Sequence, residues 1–443
     1  MEETDLAVIG AGPAGLTAAR VAASRGLAVV VLDKNPSAGG QVWRGGAGGG
    51  AAAFARAERA GASFRFGATV WDVTAENVIA WSDGLLSRRL EARAILVAAG
   101  SMERPVVFKG WTLPGVMGVG ALQTAFKSGG VVPTGDWVMA GSGPLPLLVL
   151  AEFAAKGIKP KAYLDTTIRG GLGGALPYLA GAVGKPEFSR GLGLLVARAL
   201  SGVKIHRFVN GIEALGSDRI EAVVATLGGG TVRLETPLLA VHEGVVPQTA
   251  LARLLGVEHR WNALRRAFEP VLDAHGRVEG RHLWIAGDGA GIEGEASAVL
   301  QGEIAAYDIG HALERIDTQT HERRCGWLRA QRARQQKVRR FIDHRYPPPE
   351  LARGLEDEVI VCRCERVTAG AIRAAIAEGA TGPNRVKTFT RCGMGLCQGR
   401  MCGLLLSEII ALTTKRRLDE VGTLRIRPPL EPVRLGELAE LET

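Results

Sequence analysis

The feature that most constrains this chain is Gly10-x-Gly12-x-x-Gly15, set between two apolar runs. Leu6–Ile9 suits a buried parallel strand, and the alanine-rich stretch Leu16–Ser24 suits a helix that Gly26 ends. Leu27–Leu32 then reads as a second strand closing on Asp33. Glycines at this spacing permit a tight turn, close approach of a pyrophosphate, and close packing of helix on strand. The helix N-terminus supplies unpaired amide donors and the positive end of its dipole. Asp33 falls where an acid accepts hydrogen bonds from an adenosine ribose. Residues 6–33 therefore predict a dinucleotide-binding βαβ unit. They do not by themselves choose between FAD and NAD.

The pattern recurs. Trp137–Ala140 reads as a strand, followed by Gly141-Ser-Gly143, an apolar helix, Gly157, and a strand ending at Asp165. In this second unit Pro146 stands where the third glycine is expected. Proline is tolerated in a first helical turn, but it does not give the close packing that glycine allows. Three outcomes stay open for Gly141, Gly143 and Asp165: NAD, another adenine nucleotide such as ATP, or a fold retained without a ligand.

A chain of 443 residues exceeds one ordinary core, so two or three domains are expected. The 60 glycines fit a backbone that approaches cofactors closely. A net charge of +9 raises the question of nucleic acid, but much of the excess lies in one stretch, Arg323–Arg340. Without aromatic platforms or a reading motif, that stretch predicts a solvated helix face or a surface for an acidic partner. The opening Met-Glu-Glu-Thr-Asp is acidic where a secretory leader is basic. The apolar run Leu6–Ala23 is better explained by its glycine turn than by a membrane span. The chain thus reads as soluble and cytoplasmic, with no transmembrane segment and no nucleic-acid partner. The Cys-x-x-Cys pair of a disulfide reductase is absent, which excludes dithiol chemistry on a flavin.

Five of the six cysteines lie between Cys362 and Cys402. Without an export signal, such clustering points to metal ligation rather than disulfides. Cys362-x-Cys364 presents two thiolates, and the glycine-rich turn Cys392-x4-Cys397 presents two more. Between them Thr368 caps a helix over 369–377 that Gly379 stops. Four thiolates suit a 2Fe–2S or 4Fe–4S cluster. Zinc, whose structural sites favour Cys-x2–4-Cys pairs, and a fold without a cluster are the alternatives. The preferred ligands are Cys362, Cys364, Cys392 and Cys397, with Cys402 spare. Cys325, in the arginine-rich segment, reads as an ordinary thiol whose pKa nearby charge could lower. His321 and His344 read as surface residues.

Several segments carry resemblances. The strand ending in Gly287-Asp288, with a helix of small residues after it, resembles the second FAD motif of pyridine-nucleotide–disulfide reductase-like flavoproteins. There the aspartate binds the ribityl chain. Ile95–Gly100 resembles that family's crossing strand, and Gly39-Gly40-Gln41 lies where its chain passes the flavin. Val361–Thr368 and Thr390–Cys402 resemble the bacterioferritin-associated-ferredoxin-type cluster domain fused to the α subunits of opine oxidases. Hydrogen cyanide synthase and heteromeric (hydroxy)proline dehydrogenases have similar subunits. Gly39–Arg44, Glu103–Pro105, Gly110–Gly115 and Gly244–Thr249 agree, while Gly45–Gly50 departs from the pattern.

The resemblance implies an α/β chain with two Rossmann-like dinucleotide-binding domains and a small C-terminal helical 2Fe–2S domain. Its expected parts are an FAD domain (1–110 and 235–315), a second nucleotide domain (111–234) and a basic helical linker (316–355). A cluster domain (356–415) and a polar tail (416–443) follow. It implies FAD held by Gly10, Gly12, Gly15, Asp33, Gly40, Gln41, Gly100, Gly287 and Asp288, and FMN shared at a subunit interface. It further implies a partner β subunit, resembling D-amino-acid and glycine oxidases, that breaks the C–N bond while this chain passes the electrons on. A further small subunit is also compatible with it. The sequence shows no convincing catalytic base: His242 and Glu243 read as framing a strand end. A self-contained NAD(P)H-dependent reductase of a ferredoxin-like acceptor, or a non-catalytic nucleotide-binding scaffold, are the rival readings.

Overall fold

The longest strand of the protein, Ser87–Val97, organises the first sheet by pairing along its length with Glu2–Ile9. In the computed structural model, which describes residues 2–439 and 441 without the side chains of 46–48, it has three neighbours. It runs parallel to Glu2–Ile9 and Leu283–Ile285 and antiparallel to Val78–Ser82. Outward from Glu2–Ile9 lie Val29–Asp33 and Ser63–Phe66, both parallel, as the buried Val-Val-Val-Leu-Asp run predicts. The helix Pro13–Ala23 buries ten of its eleven residues between this sheet and the helix Glu295–Ala312. Alanines and glycines make that closeness possible. An added Cβ on Gly302 would collide with the Ala14 carbonyl, and one on Gly287 would lie 3.1 Å from the Ala14 Cβ.

The second sheet is parallel throughout, in the order Lys204–Arg207, Ala162–Asp165, Val138–Gly141, Leu239–His242, Val116–Gly118. One face packs on Trp137, Phe153 and Leu150, the other on Ile220, Val223 and Ala225. A three-stranded antiparallel sheet, Gly211–Leu215, Ala222–Leu227 and Gly230–Glu235, supplies the second of those faces. The helix Thr318–Arg345 crosses back over the molecule, capped by the Asp317 side chain, which accepts from the Thr320 amide.

The C-terminal part is helical. Ile360–Cys362 pairs with Val367–Thr368, and the helices Ala369–Ala377, Pro383–Thr390 and Gly403–Thr414 surround a core of Ile372, Val386, Leu406 and Ile410. Thr368 caps the first helix, as its position predicts, by accepting from the Ala371 amide at 3.2 Å. Trp111 from the middle of the chain joins this core, and its Nε1 donates to the Ile360 carbonyl at 2.6 Å. The segment expected as a polar tail, partly outside the described residues, is anchored to the body at several points. Leu424 is buried in the helical core, the Leu430 amide donates to the Trp71 carbonyl, and Ser82 hydrogen-bonds Glu437. No helix among the described residues is long and apolar enough to cross a membrane.

Gly302→Val would force the two helices apart at Ala14. Overpacking of this kind costs about 1–3 kcal/mol, and differential scanning fluorimetry should read it as a lower melting temperature. An unchanged melting temperature would contradict the contact.

Candidate functional site

Two helix N-termini meet at the first glycine turn. Pro13–Ala23 starts from Gly12 and Glu295–Ala312 from Gly294, and neither start receives a side-chain capping bond. Each glycine of the turn has its own reason. Gly10 has φ of 112° and faces the Ala98 carbonyl, and Gly15 leaves no room for a Cβ against the Gly10 carbonyl. Gly12 is open: a Cβ there would meet only the Gly40 Cα, at 3.9 Å. Amides, dipoles and an uncrowded backbone thus face one direction, a cradle that fits a pyrophosphate.

The other expected residues of this end gather round it. Asp33 is buried; its carboxylate accepts from the Ala11 amide at 2.6 Å and from the Asn35 amide and side chain at 2.8 and 2.7 Å. Gly40 packs against Gly12, and the Gln41 side chain accepts from Thr124 at 3.3 Å. The Gly100 carbonyl accepts from the Gln248 amide. Asp288 accepts from the Glu293 and Gly294 amides, both at 3.0 Å, and the Gly287 amide donates to Gln301.

Two residues that sequence reasoning passed over brace the same corner. The Trp43 Nε1 donates to Glu295 at 2.6 Å. Glu293 is held by both prongs of Arg332, at 2.9 and 2.8 Å, and by Gln336 and Ser297. Burial alone would raise the Glu293 carboxyl, but the hydrogen bonds and charge of Arg332 outweigh it and hold the group below its ordinary value. Arg332 belongs to the stretch expected to be a solvated face. Part of that stretch instead points inward, with Arg339 pairing with Asp343 as well.

The second glycine turn is differently occupied. Gly141, with φ of 146°, allows the strand to pass the His242 carbonyl, and Gly143 has open space around it. Asp165, however, is already paired: Arg198 Nη1 donates to it at 2.8 Å, with side chains only 16% and 9% exposed, and the Thr167 amide donates to its other oxygen. Beside it lies a group of hydrogen-bonded polar side chains. The His242 Nδ1 is 2.6 Å from Glu103, which also accepts from the Gly120 amide. Burial pushes the Glu243 carboxyl up to about 7, against the opposing hydrogen bond from Thr166 and the charge of Arg104. His242 does end its strand, as expected, and both residues face protein groups.

The clustered cysteines gather in two neighbouring sets, Cys362 with Cys392 and Cys402, and Cys364 with Cys397. The sulfurs of Cys362, Cys392 and Cys402 lie within 4.8 Å of one another, so Cys402, expected to be spare, sits among the preferred ligands. Hydrogen bonds from the Cys392 and Cys402 thiols hold the Cys362 thiol far down, at about 2, while the bond Cys392 makes to Cys362, with burial, pushes Cys392 up to about 12 against the bond from Cys402. Burial raises Cys364, with Cys397 and Cys362 adding to it. Gly395 abuts Cys364 with no room for a Cβ, and Gly393 and Gly399, at φ of 90° and 79°, both pack on Leu424. Cys362, Cys392 and Cys402 are buried, while Cys364 is exposed and Cys397 half-buried; thiols that share protons suit replacement of those protons by metal. Cys325 is elsewhere and wholly buried. Burial first, then Asp308, pushes its thiol up to about 12, against the lowering that the nearby positive charge of Arg329 exerts.

One cavity of about 1370 Å³ links these parts. Gln41, Trp43, Asp288 and Glu295 line it from the first turn, and Leu147 and Leu195 from the second fold. Arg363 and Met401, neighbours of Cys362, Cys364 and Cys402, line it as well. The Arg363 guanidinium lies 5.9 Å from the Trp111 ring.

Comparison with known proteins fits this arrangement. The opine oxidase A subunit of Agrobacterium tumefaciens (strain Ach5) is 37% identical over 99% of this chain and 92% of its own. The chain belongs to the family of opine oxidase A subunits. The HcnB subunit of hydrogen cyanide synthase from Pseudomonas aeruginosa, a relative of that family, is 33% identical over 98% of both chains. The alpha subunit of sarcosine oxidase from Rhizobium meliloti is 27% identical over 99% of this chain and 42% of its own. Residues 357–441 match the family described as Sarcosine oxidase A3 domain, and residues 1–58 the Thi4 family. Among solved structures, L-proline dehydrogenase from P. horikoshii superposes with a TM-score of 0.71 at 19% identity, over 99% of this chain and 80% of that one. Thioredoxin reductase of T. acidophilum superposes with a TM-score of 0.52 over 71% of this chain and 100% of that one, at 18% identity. The opine oxidase-type chain is therefore one component of a heteromeric oxidoreductase with a flavoprotein fold, and FAD is the cofactor its relatives support.

The Glu293–Arg332 pair yields a pH prediction. A carboxyl held below its ordinary 4.5 contributes stability that is complete above that value and is lost as pH falls through the lowered one. Arg332→Met should therefore destabilise the protein at neutral pH, and the gap to wild type should narrow under acid. Denaturant midpoints measured from pH 7 to pH 3 check this; a gap independent of pH would contradict it.

Proposed function

We propose that this chain is the FAD- and 2Fe–2S-bearing electron-transfer component of a heteromeric amino-acid, imino-acid or opine dehydrogenase. On this reading C–N oxidation occurs on a partner subunit resembling D-amino-acid and glycine oxidases. The observation that carries it is the single cavity lined both by Trp43 and Asp288 and by Arg363 and Met401, the neighbours of the cysteines. Bound to such a chain, FAD accepts electron pairs and a 2Fe–2S cluster takes electrons one at a time.

The chain's own residues bind and position. Gly10, Gly12 and Gly15 open the turn to the pyrophosphate, which the two uncapped helix starts neutralise. Asp33, bonded to Ala11 and Asn35, would hold the adenosine side, while Gly40, Gln41, Gly100, Gly287 and Asp288 would hold the ribityl and ring side. Trp43, fixed by Glu295, walls the cavity against water. The cavity exceeds the roughly 300–1,000 Å³ of a one-ligand site, which supports FMN at the boundary with the partner. The Asp165–Arg198 pair disfavours an NAD ribose at Gly141 and Gly143 and, with it, a self-contained NAD(P)H reductase. A fold kept for structure, or an ATP-like ligand bound without that acid, fits better. Residues 1–110 with 235–315, 111–234, and 356–415 are proposed as the three units, with 316–355 linking them.

Four thiolates complete a 2Fe–2S centre, and five are at hand. Cys362, Cys364 and Cys397 are proposed as ligands, with Cys392 or Cys402 as the fourth. Single serine substitutions followed by iron analysis test this: loss of iron at the first three positions and retention at one of the last two are expected. Zinc in place of iron would overturn it.

Purification with the co-expressed partner tests the division of labour. Flavin bleaching that needs both the partner and an amino acid, imino acid or opine supports it. Bleaching of the isolated chain by NADH alone would contradict it.

A further inference from the structure

A second cluster of metal-binding side chains lies away from the cavity, near the far end of the helix Glu295–Ala312. Asp308 stands thirteen residues beyond the start of that helix, about 20 Å along its axis. His321 and Cys325, four apart on the helix Thr318–Arg345, face it from the same side. His275 reaches in from the turn that follows Asp273. The four donors come from three separate segments: His275, His321 and Cys325 converge, and Asp308 lies against both imidazoles. His321 Nε2 is 2.8 Å and His275 Nδ1 3.5 Å from Asp308 Oδ1, and the donor atoms of His275, His321 and Cys325 all lie within 4.8 Å of one another.

The surroundings support these donors as a metal site would need. The other Asp308 oxygen accepts from Trp284 Nε1 at 2.8 Å, which fixes the carboxylate. The His311 ring stacks on His321 at 4.6 Å, and its Nδ1 is occupied by the Ile316 carbonyl at 3.1 Å. Cys325 is fully buried, and its sulfur's other polar contact is the Ile304 carbonyl at 3.9 Å. Asp273 lies 3.6 Å from His275 Nδ1, and Arg329 lies 3.4 Å from His275 Nε2, the other ring nitrogen. A thiolate and the Asp308 carboxylate would neutralise a divalent cation, while Asp273 and Arg329 offset each other.

We propose that His275, His321, Asp308 and Cys325 bind one divalent transition-metal ion, zinc by preference. Two imidazoles, one carboxylate and one thiolate are a borderline-soft set of the number zinc takes in tetrahedral sites. On binding, the Cys325 thiol gives its proton to solvent and the sulfur takes the metal in its place. The donors are nearly closed off, with side-chain exposures of 0% for Cys325, 9% for Asp308, 11% for His321 and 20% for His275. The ion would accordingly be structural, tying the two helices to the turn at Asp273.

Metal analysis of the purified complex before and after chelator treatment, followed by titration with zinc chloride, tests this. One zinc per chain in addition to the full iron content is expected. Cys325→Ser, which preserves shape, and His321→Ala should each weaken zinc binding by about tenfold or more while iron and flavin stay unchanged. Cobalt substituted for zinc should show a sulfur-to-cobalt absorption band that Cys325→Ser abolishes, a readout independent of how well His321→Ala folds. Three results would overturn the proposal: no zinc uptake, uptake equal in wild type and Cys325→Ser, or uptake matched by loss of iron, which would put the zinc on the cysteine cluster.

Discussion

The approach of the helix Glu295–Ala312 to Pro13–Ala23 sets what the rest of the protein can do. Side chains at Gly302 or Gly287 would hold the helices apart, and the uncapped starts at Gly12 and Gly294 would no longer converge. Because both starts are glycines, no side chain competes for the free amides. The same helix carries Glu295 against Trp43, and Glu293 just before it grips Arg332 from the long crossing helix. One backbone contact thus aligns the cradle, one wall of the cavity, and the arm that spans the molecule.

The helical part is fixed to this frame by few but buried bonds. Trp111 donates to the Ile360 carbonyl, two residues before Cys362. Arg266 pairs at 2.8 Å with Glu408, which is buried on the helix that follows Cys402. Removing one partner of a buried pair typically costs about 3–5 kcal/mol, because the other charge is left without compensation. These bonds tie to the frame the part of the chain whose Arg363 and Met401 line the cavity. On the proposed reading, they set how well electrons cross between the two centres.

Much of this was legible in the sequence because glycines, strand ends and caps are local signals. Gly10, Gly12 and Gly15, the buried strand closing on Asp33, and Thr368 as a helix cap stand in the structure as the spacing predicts. What the sequence hid depends on distant partners. Asp165 matches a ribose-binding acid by position, yet Arg198, thirty-three residues on, takes its charge. His321 and the inward-facing arginines looked like surface until Asp308 and Glu293 came opposite them. Spacing alone could not rank Cys402 against Cys392, because the turn between them, packed on Leu424, brings both to Cys362.

Rapid-freeze paramagnetic resonance on the anaerobic complex, mixed with substrate and read alongside flavin absorbance, tests the central claim most directly. A reduced 2Fe–2S signal that rises as the flavin bleaches, and that disappears with Cys362→Ser, is the predicted result. Full flavin bleaching with no iron–sulfur signal at any time would contradict the account.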